Sequence, residues 1–238
     1  MAYFINFPQI NYKFGNENTG TAVEDISAYV DVIDQVKNQS SFYRNYTILD
    51  GDRPDVLSQK LYGTTDYHWT FYFMNDHLRR QGWPLPYADL LAKAQKDYPN
   101  TTVVTRDLLF NKFDVGDTVT GNSSAAEGII LKRNLDLGQL VIKVTNNKSF
   151  TDSELISDGT DTVTVQSSSE EYNSAHHYTN NGVIVDIDPE NGPGVLLTKV
   201  TYLDEYVTAN DSLKEINIIK PDNIDDVTKA FEEAMSGV

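Results

Sequence analysis

Residues 46–75 read YTILDGDRPDVLSQKLYGTTDYHWTFYFMN, and this stretch decides the fold of the chain. It opens with a short extended run, Tyr46 to Leu49. Asp52 is predicted to cap a helix that begins near Pro54, since a carboxylate there can accept from a free backbone N–H and proline suits the first helical turn. Gly63 is predicted to end that helix, because glycine adopts the left-handed conformation without steric cost.

The helix that begins near Pro54 is predicted to have one apolar face and one polar face. The apolar residues are Val56, Leu57 and Leu61, and those expected in solvent are Ser58, Gln59 and Lys60. A second helix, capped by Thr65 or Asp66, is predicted to carry Tyr67, Trp69, Tyr72, Phe73 and Met74. The stretch therefore predicts a strand, a helix, a tight turn and a second helix.

This order of elements resembles the LysM motif, in which an extended Tyr-x-Val run precedes Gly-Asp, an apolar helix, Tyr-Gly and a second helix ending near Asn. The expected structural core of the LysM-like unit consists of Tyr46, Ile48, Gly51, Asp52, Leu57, Leu61, Tyr62, Gly63, Trp69 and Asn75. The sequence departs from the motif at Arg53-Pro54, in its longer and more aromatic second helix, and in lacking a clear closing strand after Asn75.

A wider resemblance covers Arg53 to Gly63, then Tyr67-x-Trp69 and Met74-Asn75-Asp76. These runs are similar to the baseplate wedge subunit, gene product 53, of T-even-type contractile-tailed bacteriophages. The resemblance implies a structural subunit of the virion tail, present in several copies in a six-fold baseplate assembled in the host cytoplasm. It also implies that the subunit joins neighbouring wedges and contacts the inner wedge ring, the sheath initiator and the central hub.

Residues 1–22 are predicted to form an aromatic extended arm and linker, because Pro8 disfavours a helix. The rings of the arm either pack on their own domain or dock on a partner, and the wedge family, which begins with a similar arm, favours the partner. The residues predicted to contact partners are Phe4, Phe7, Tyr12, Phe14, Arg53, Tyr67, Tyr72 and Phe231.

The remaining chain is predicted to complete an α+β protein. Residues 23–100 are expected to hold an amphipathic helix from Val23 to Val36, the LysM-like unit and a third helix. Residues 101–211, rich in Val, Thr and Gly, predict an inserted acidic all-β domain, either a small barrel or a sandwich. Residues 212–238 are predicted to return to the first domain as a strand and a helix.

Strands of the inserted domain are predicted where runs of β-forming residues lie between turn residues. The clearest is a hairpin of Glu127–Arg133 and Gln139–Thr145 around the turn at residues 134–138. The other predicted strands are Phe113–Gly121, Thr162–Gln166, Gly182–Ile187 and Val195–Tyr202.

Charge and composition limit the possible partners. The formal net charge of −16 argues against binding to nucleic acid or to an anionic membrane surface. The absence of cysteine excludes disulfides, thiolate metal sites and cysteine nucleophiles, and is consistent with folding in a reducing cytoplasm. No apolar run reaches membrane-spanning length, and the N-terminus lacks the pattern of a signal peptide.

Candidate catalytic and metal-binding residues are few. His68 and His77 lack the spacing that presents two ligands on one helical face. The adjacent side chains of His176 and His177 would diverge in a strand, and a polar loop is the expected context. Residues 186–192 are similar to a calcium loop but are interrupted by Pro189, so a hairpin turn is expected. We therefore predict no enzyme, cofactor or metal site. The alternative function is peptidoglycan binding in the groove between residues 51–54 and the end of the second helix.

Overall fold

The computed structural model describes residues 7–16, 19–25 and 32–236 and shows a mixed α and β protein. The chain divides into two compact units. The first consists of Met1–Pro86 and Asn210–Val238, and the second is the intervening segment Tyr87–Ala209. The third predicted helix, expected in the first domain, therefore belongs to the second unit.

The elements of the first unit before the second unit are β1 (Gln9–Tyr12), β2 (Thr21–Glu24), α1 (Val32–Lys37), β3 (Tyr43–Thr47), α2 (Pro54–Tyr62), α3 (Trp69–Met74) and α4 (Asp76–Gln81). The next elements are α5 (Tyr87–Asp97), β4 (Thr101–Val104), β5 (Thr118–Gly121), β6 (Glu127–Asn134), β7 (Gln139–Val144), β8 (Leu155–Ser157), β9 (Thr162–Thr164), β10 (Ser167–Glu170), β11 (Ala175–Asn180), β12 (Val183–Val185), β13 (Thr198–Thr201) and α6 (Tyr202–Asp211). The chain then forms β14 (Glu215–Ile219) and α7 (Ile224–Ser236).

The two segments of the first unit meet in a two-stranded antiparallel sheet. Tyr46 of β3 lies opposite Ile216 of β14. Beyond the end of β3, the Ile48 N–H donates to the carbonyl of Lys214 at 2.9 Å, which extends the pairing. The strand that pairs with β3 therefore comes from the C-terminal tail.

Helix α2 begins at Pro54 and is followed by Gly63 at φ 75°, as predicted. The predicted cap is wrong, because Asp52 instead pairs with Lys60 (Oδ1 to Nζ, 2.7 Å), and Arg53 occupies the cap position without a side-chain cap bond. The prediction that Ser58 is solvated is also wrong. Its side chain is buried, and its hydroxyl donates to the Thr64 carbonyl at 2.7 Å, so it holds the turn that follows the helix.

The second predicted helix begins later than expected. Neither Thr65 nor Asp66 caps it, since α3 starts at Trp69 after a series of turns. Helix α3 ends at Met74. The next residue, Asn75, has an extended backbone (φ −129°, ψ 96°), and a further helix, α4, follows directly. The sequence pattern did not predict α4, because the helical run is interrupted by one residue whose conformation depends on side-chain contacts.

Two core clusters fill the first unit. One contains Phe7, Val36, Met74, Ile219, Ile224, Val227, Phe231 and Met235, with Tyr62, Tyr67, Trp69 and Phe73 half-buried against it. The other contains Ile48, Leu57, Phe71, Leu78, Leu213, Ile216 and Ile218, with Tyr46, Leu61, Tyr62, Tyr72 and Trp83 half-buried against it. Tyr62 contacts both clusters, and its hydroxyl donates to the Ile219 carbonyl at 2.9 Å.

The N-terminal region differs from its prediction. The expected helix from Val23 is wrong at its start, because Val23 lies in β2 opposite Ile10 of β1. Within residues 7–16 and 19–25, the predicted extended arm and polar linker supply this hairpin, which the Asp25 N–H extends by donating to the Pro8 carbonyl at 2.8 Å. The rest of the predicted arm and residues 26–31 of the predicted helix lie outside the described residues. Pairing with β1 satisfies the backbone of Val23, whereas the first turn of a helix would leave its N–H groups without backbone partners.

The second unit contains a small β-barrel. A seven-stranded antiparallel sheet has the order β10-β4-β7-β6-β5-β8-β9, so its two outermost strands follow one another in the chain. Val165 and Gln166 join β9 to β10, and each bonds to a different end of the sheet. The Val165 N–H donates to the carbonyl of Glu154, just before β8, at 2.8 Å, and the Gln166 N–H donates to the carbonyl of Val104, in β4, at 2.7 Å. The sheet therefore closes on itself through continuous chain. The enclosed core is Val103, Leu109, Phe113, Val119, Ala126, Ile130, Leu140, Ile142, Phe150, Ile156, Val163 and Val165.

The predicted hairpin of the second unit is confirmed as β6 and β7. The other predicted strands are present but shorter. The prediction that residues 101–211 are all β is wrong, because Tyr202–Asp211 form helix α6. Phe113 is not in a strand, because its φ of 57° turns the chain so that its ring is buried in the barrel. β11, β12 and β13 form a separate three-stranded antiparallel sheet.

Glu154 is the only buried carboxylate among the residues that the structure describes. Its Oε2 accepts from the backbone N–H groups of Ser123 and Ser124 at 3.2 and 3.0 Å, and its Oε1 accepts from that of Thr151 at 2.6 Å. The Ser124 hydroxyl donates to it at 2.9 Å. Burial alone raises the pKa of Glu154, but these donors outweigh burial, and the net pKa is lowered.

We expect Glu154→Gln to lower the free energy of unfolding by about 1.5–3 kcal/mol at pH 7, because the amide –NH₂ would face backbone donors. A lowered pKa means that the carboxylate stabilises the fold above its unfolded-state pKa of about 4.3 and that this contribution is lost as the pH falls through the folded-state pKa. Urea denaturation at several pH values should therefore show the difference between wild type and variant shrinking in acid. A difference independent of pH would contradict the prediction.

Candidate interaction surface

The first candidate site is an exposed apolar face on the β1–β2 hairpin. Ile10 and Tyr12 alternate along β1, so their side chains share one face, and Phe14 follows just after the strand. They are 43%, 52% and 51% exposed. The rings of Tyr12 and Phe14 contact each other edge to face with centroids 5.0 Å apart. We call these three residues the hairpin face.

The structure separates the predicted contact residues into different environments. Phe4 lies outside the described residues. Phe7 and Phe231 are 7% and 3% exposed and belong to the same core cluster, so neither ring is available to a partner. Their burial corrects the prediction for these two positions: the first packs in its own unit, together with the last helix.

Arg53, Tyr67 and Tyr72 do not extend the hairpin face. The Arg53 guanidinium is exposed and pairs with Asp55 at 3.2 Å. The Tyr67 hydroxyl donates to Asp225 at 2.7 Å, and this bond raises the pKa of Tyr67. Tyr72 is half-buried in the other core cluster, and its burial raises its pKa.

Trp83 contacts both sides of the region where the glycan groove was expected. The Trp83 indole N–H donates to the Asp52 carbonyl at 2.6 Å. The same ring packs on Phe71 and Tyr72 of α3, with centroid distances of 5.9 Å to each. Trp83 therefore bridges the loop before α2 and the end of α3. The run Trp83-Pro84-Leu85-Pro86 indicates a rigid turn with a fixed ring, but nothing in it identifies the residues that the ring contacts.

A polar pocket of about 400 Å³ lies beside β3 and β14. Its lining includes Asp76 and His77 at the start of α4. The carboxylate of Asp76 binds Lys37 at 2.9 Å and also Arg79, and the Lys37 bond is the main cause of its lowered pKa. A carboxylate held by two cations is a poor base or nucleophile. Asp76 is therefore a poor candidate for acid–base chemistry in this pocket.

The second unit also exposes apolar side chains. Val183 and Ile184 of β12 are 66% and 65% exposed, on a strand at the edge of its sheet. Val195 and Leu196, which were predicted to begin a strand, lie in the loop before β13 and are almost wholly exposed. Exposed apolar residues on an edge strand are a feature of surfaces that pair with other chains.

Two weaker chemical patterns in the sequence were the calcium-like loop at residues 186–192 and the adjacent histidines His176 and His177. The loop at residues 186–192 contains a turn in which the Asp188 carboxylate accepts from the N–H groups of Glu190 and Asn191. The expected hairpin is wrong, because β12 and β13, the strands on either side of the loop, both pair with β11 and not with each other. The prediction for His176 and His177 is wrong: both lie in strand β11, and their Nδ1 atoms are 2.9 Å apart. A register shift between Ala175 and His177 explains why the adjacent side chains do not diverge.

No helix in the described part of the chain combines the length and apolarity needed to cross a membrane. Comparison with protein-family models gives no match to this sequence, and a search of curated proteins gives no significant match either.

Proposed function

We propose that this chain is a structural subunit of a contractile phage tail, a wedge component of the baseplate that binds neighbouring wedge proteins, the sheath initiator and the hub. The observation that carries the proposal is the hairpin face, where Ile10, Tyr12 and Phe14 are about half exposed although burial of each would be favourable by roughly 1.5–3 kcal/mol. Assembly subunits retain such side chains because partners cover them.

The LysM-like arrangement is a second part of the proposal. The order β3, α2, α3 follows the motif, and the closing strand that is missing after Asn75 has a candidate in β14, which is antiparallel to β3. Asn75 supports this interpretation, because its side chain bonds to both the backbone of α3 and that of β14. On this view the second unit is inserted between the second helix and the closing strand of the motif.

Peptidoglycan binding remains the second candidate, since the LysM-like order of elements favours it. The position of Trp83 counts against it, because the indole contacts both sides of the region in which glycan would lie. A pull-down on insoluble cell wall separates the two functions. Retention of the full chain at physiological salt supports glycan binding, and its loss to the supernatant supports a structural subunit.

The double change Tyr12→Ser and Phe14→Ser tests the structural proposal. Both rings are exposed, so the free energy of unfolding should change by less than about 1 kcal/mol. Incorporation into purified virions should fall at least tenfold, measured by peptide mass spectrometry after complementation of a phage that lacks the chain. The matched control is Phe110→Ser, a ring 62% exposed on a loop of the second unit, which should incorporate normally.

Normal incorporation of the double variant would contradict a docking role for the hairpin face. These point changes test the docking role more specifically than deletion of residues 2–14 would. That deletion would also remove strand β1 and the buried Phe7, so failure to assemble could then reflect loss of the core.

A further inference from the structure

Strand β11 contains a bulge that places two imidazoles together. Ala175 pairs with Thr201 and His177 pairs with Val200, which leaves His176 as an extra residue on its strand. Such a bulge re-aims side chains that would otherwise point to opposite faces. The Nδ1 atoms of His176 and His177 are 2.9 Å apart as a result.

A carboxylate completes the cluster. Oε1 of Glu205, on α6, lies 3.6 Å from Nδ1 of His177. The potential ligand atoms of His176, His177 and Glu205 all lie within 4.8 Å of one another. In a tetrahedral zinc site with bonds of about 2.0–2.1 Å, neighbouring ligand atoms are about 3.3 Å apart. The two spacings that involve His177, 2.9 and 3.6 Å, lie on either side of that value, and the spacing between His176 and Glu205 is at most 4.8 Å. Side-chain rotations that bring His176 and Glu205 closer together would complete the geometry.

The elements that carry the three side chains are fixed to one another. Thr201 ends β13, which pairs with β11, and the next residue begins α6. The Asp204 carboxylate accepts from the Thr201 N–H at 2.8 Å, and the Asp204 N–H donates to the Thr201 hydroxyl at 3.0 Å. This reciprocal capping sets the direction of the first turn of α6 and therefore the position of Glu205. The Tyr202 ring packs edge to face on His176 at 5.0 Å and limits its rotation.

We propose that His176, His177 and Glu205 bind one divalent transition-metal ion, with Zn²⁺ as the ion that best matches two imidazoles and one carboxylate. Imidazole nitrogen favours zinc, copper and nickel over calcium and magnesium, which prefer oxygen ligands. Three protein ligands leave a fourth position for water or a side chain from another molecule. Bound metal would tie β11 to α6 within the second unit. This inference does not depend on the baseplate proposal.

Titration of the metal-free full chain with ZnCl₂ by calorimetry at neutral pH tests the site. Wild type should bind one equivalent. His177→Ala and Glu205→Gln should each weaken binding at least about tenfold, since even loss of an outer-shell partner costs 10–100-fold. The ion should also raise the melting temperature of wild type and not that of His177→Ala. Substitution by Co²⁺ should give the strong visible absorption of a tetrahedral nitrogen and oxygen site.

The matched controls carry the same side chains elsewhere. His68→Ala removes a half-buried imidazole of the first unit, and Glu127→Gln removes an exposed carboxylate from β6. Both variants should bind Zn²⁺ as wild type does. Failure of the wild-type chain to bind Zn²⁺, or equal binding by His177→Ala and Glu205→Gln, would overturn the proposal.

Discussion

Replacing Phe71 by alanine should lower the free energy of unfolding of the first unit by about 3–5 kcal/mol, the usual cost of removing a buried aromatic ring. Phe71 is fully buried. Its ring stacks on Tyr62 and contacts Trp83, with centroids 5.9 Å apart in both cases. The loss would open a cavity where α3 packs against the two-stranded sheet.

Tryptophan fluorescence during urea denaturation measures this effect selectively. Both tryptophans of the chain, Trp69 and Trp83, lie in the first unit. The matched control is Val56→Ala on α2, where the side chain is 44% exposed, and we expect a change below about 0.5 kcal/mol. Equal stability of Phe71→Ala and wild type would mean that the ring is not part of the core.

Replacing Asn75 by aspartate should destabilise the first unit by at least about 3 kcal/mol at pH 7, because it leaves a buried charge without a partner. Asn75 is 4% exposed. Its –NH₂ group donates to the carbonyls of Phe71 and Asn217 at 2.8 Å each, and its Oδ1 accepts from the Asn217 N–H at 2.8 Å. The new carboxylate would keep the acceptor but would face two carbonyl oxygens.

The effect of Asn75→Asp should depend on pH. Burial and the two carbonyls would raise the pKa of the new carboxyl in the folded state, so the folded chain would bind a proton more tightly than the unfolded chain. The penalty should therefore be largest at neutral pH and should shrink as the pH falls toward the unfolded-state value of about 3.9. Asn75→Ala, which adds no titratable group, is the control and should lose stability without this pH dependence. A penalty that grows in acid would contradict the role assigned to the amide.

Local signals in the sequence were enough for several elements. Pro54 and Gly63 defined helix α2, because one residue suits the first helical turn and the other the left-handed position after the last. The hairpin of β6 and β7 was readable from β-rich runs on both sides of a turn at residues 134–138. In each case the information lies within a few residues of the feature.

The errors occurred where distant partners decide the conformation. Val23 fits a helical pattern, but pairing with Ile10 places it in a strand. His176 and His177 come together only because β13 imposes a bulge on β11, and nothing in a His-His dipeptide predicts that. Phe71 was not singled out among its aromatic neighbours, although it is the ring of α3 with no exposure, because periodicity alone does not rank rings on a short helix.

The candidate surface was predictable only in part. A run of aromatic residues near the N-terminus indicated a region that must be covered, and Tyr12 and Phe14 are exposed there. The same run gave no means of distinguishing Phe7, whose burial depends on α7 more than two hundred residues later. A predicted contact surface thus needs the packing of the whole chain before individual rings can be assigned to it.

The pairing of β3 with β14 sets an order for biosynthesis. Thr47 and Glu215, which hydrogen-bond across this pair, are separated by 168 positions. A ribosome therefore releases every residue of the barrel before it supplies the strand that β3 requires. The segment that contains β3 is translated early but should acquire its native structure late. Until β14 pairs with β3, the aromatic side chains around β3 can aggregate unless chaperones bind them or the two strands pair quickly.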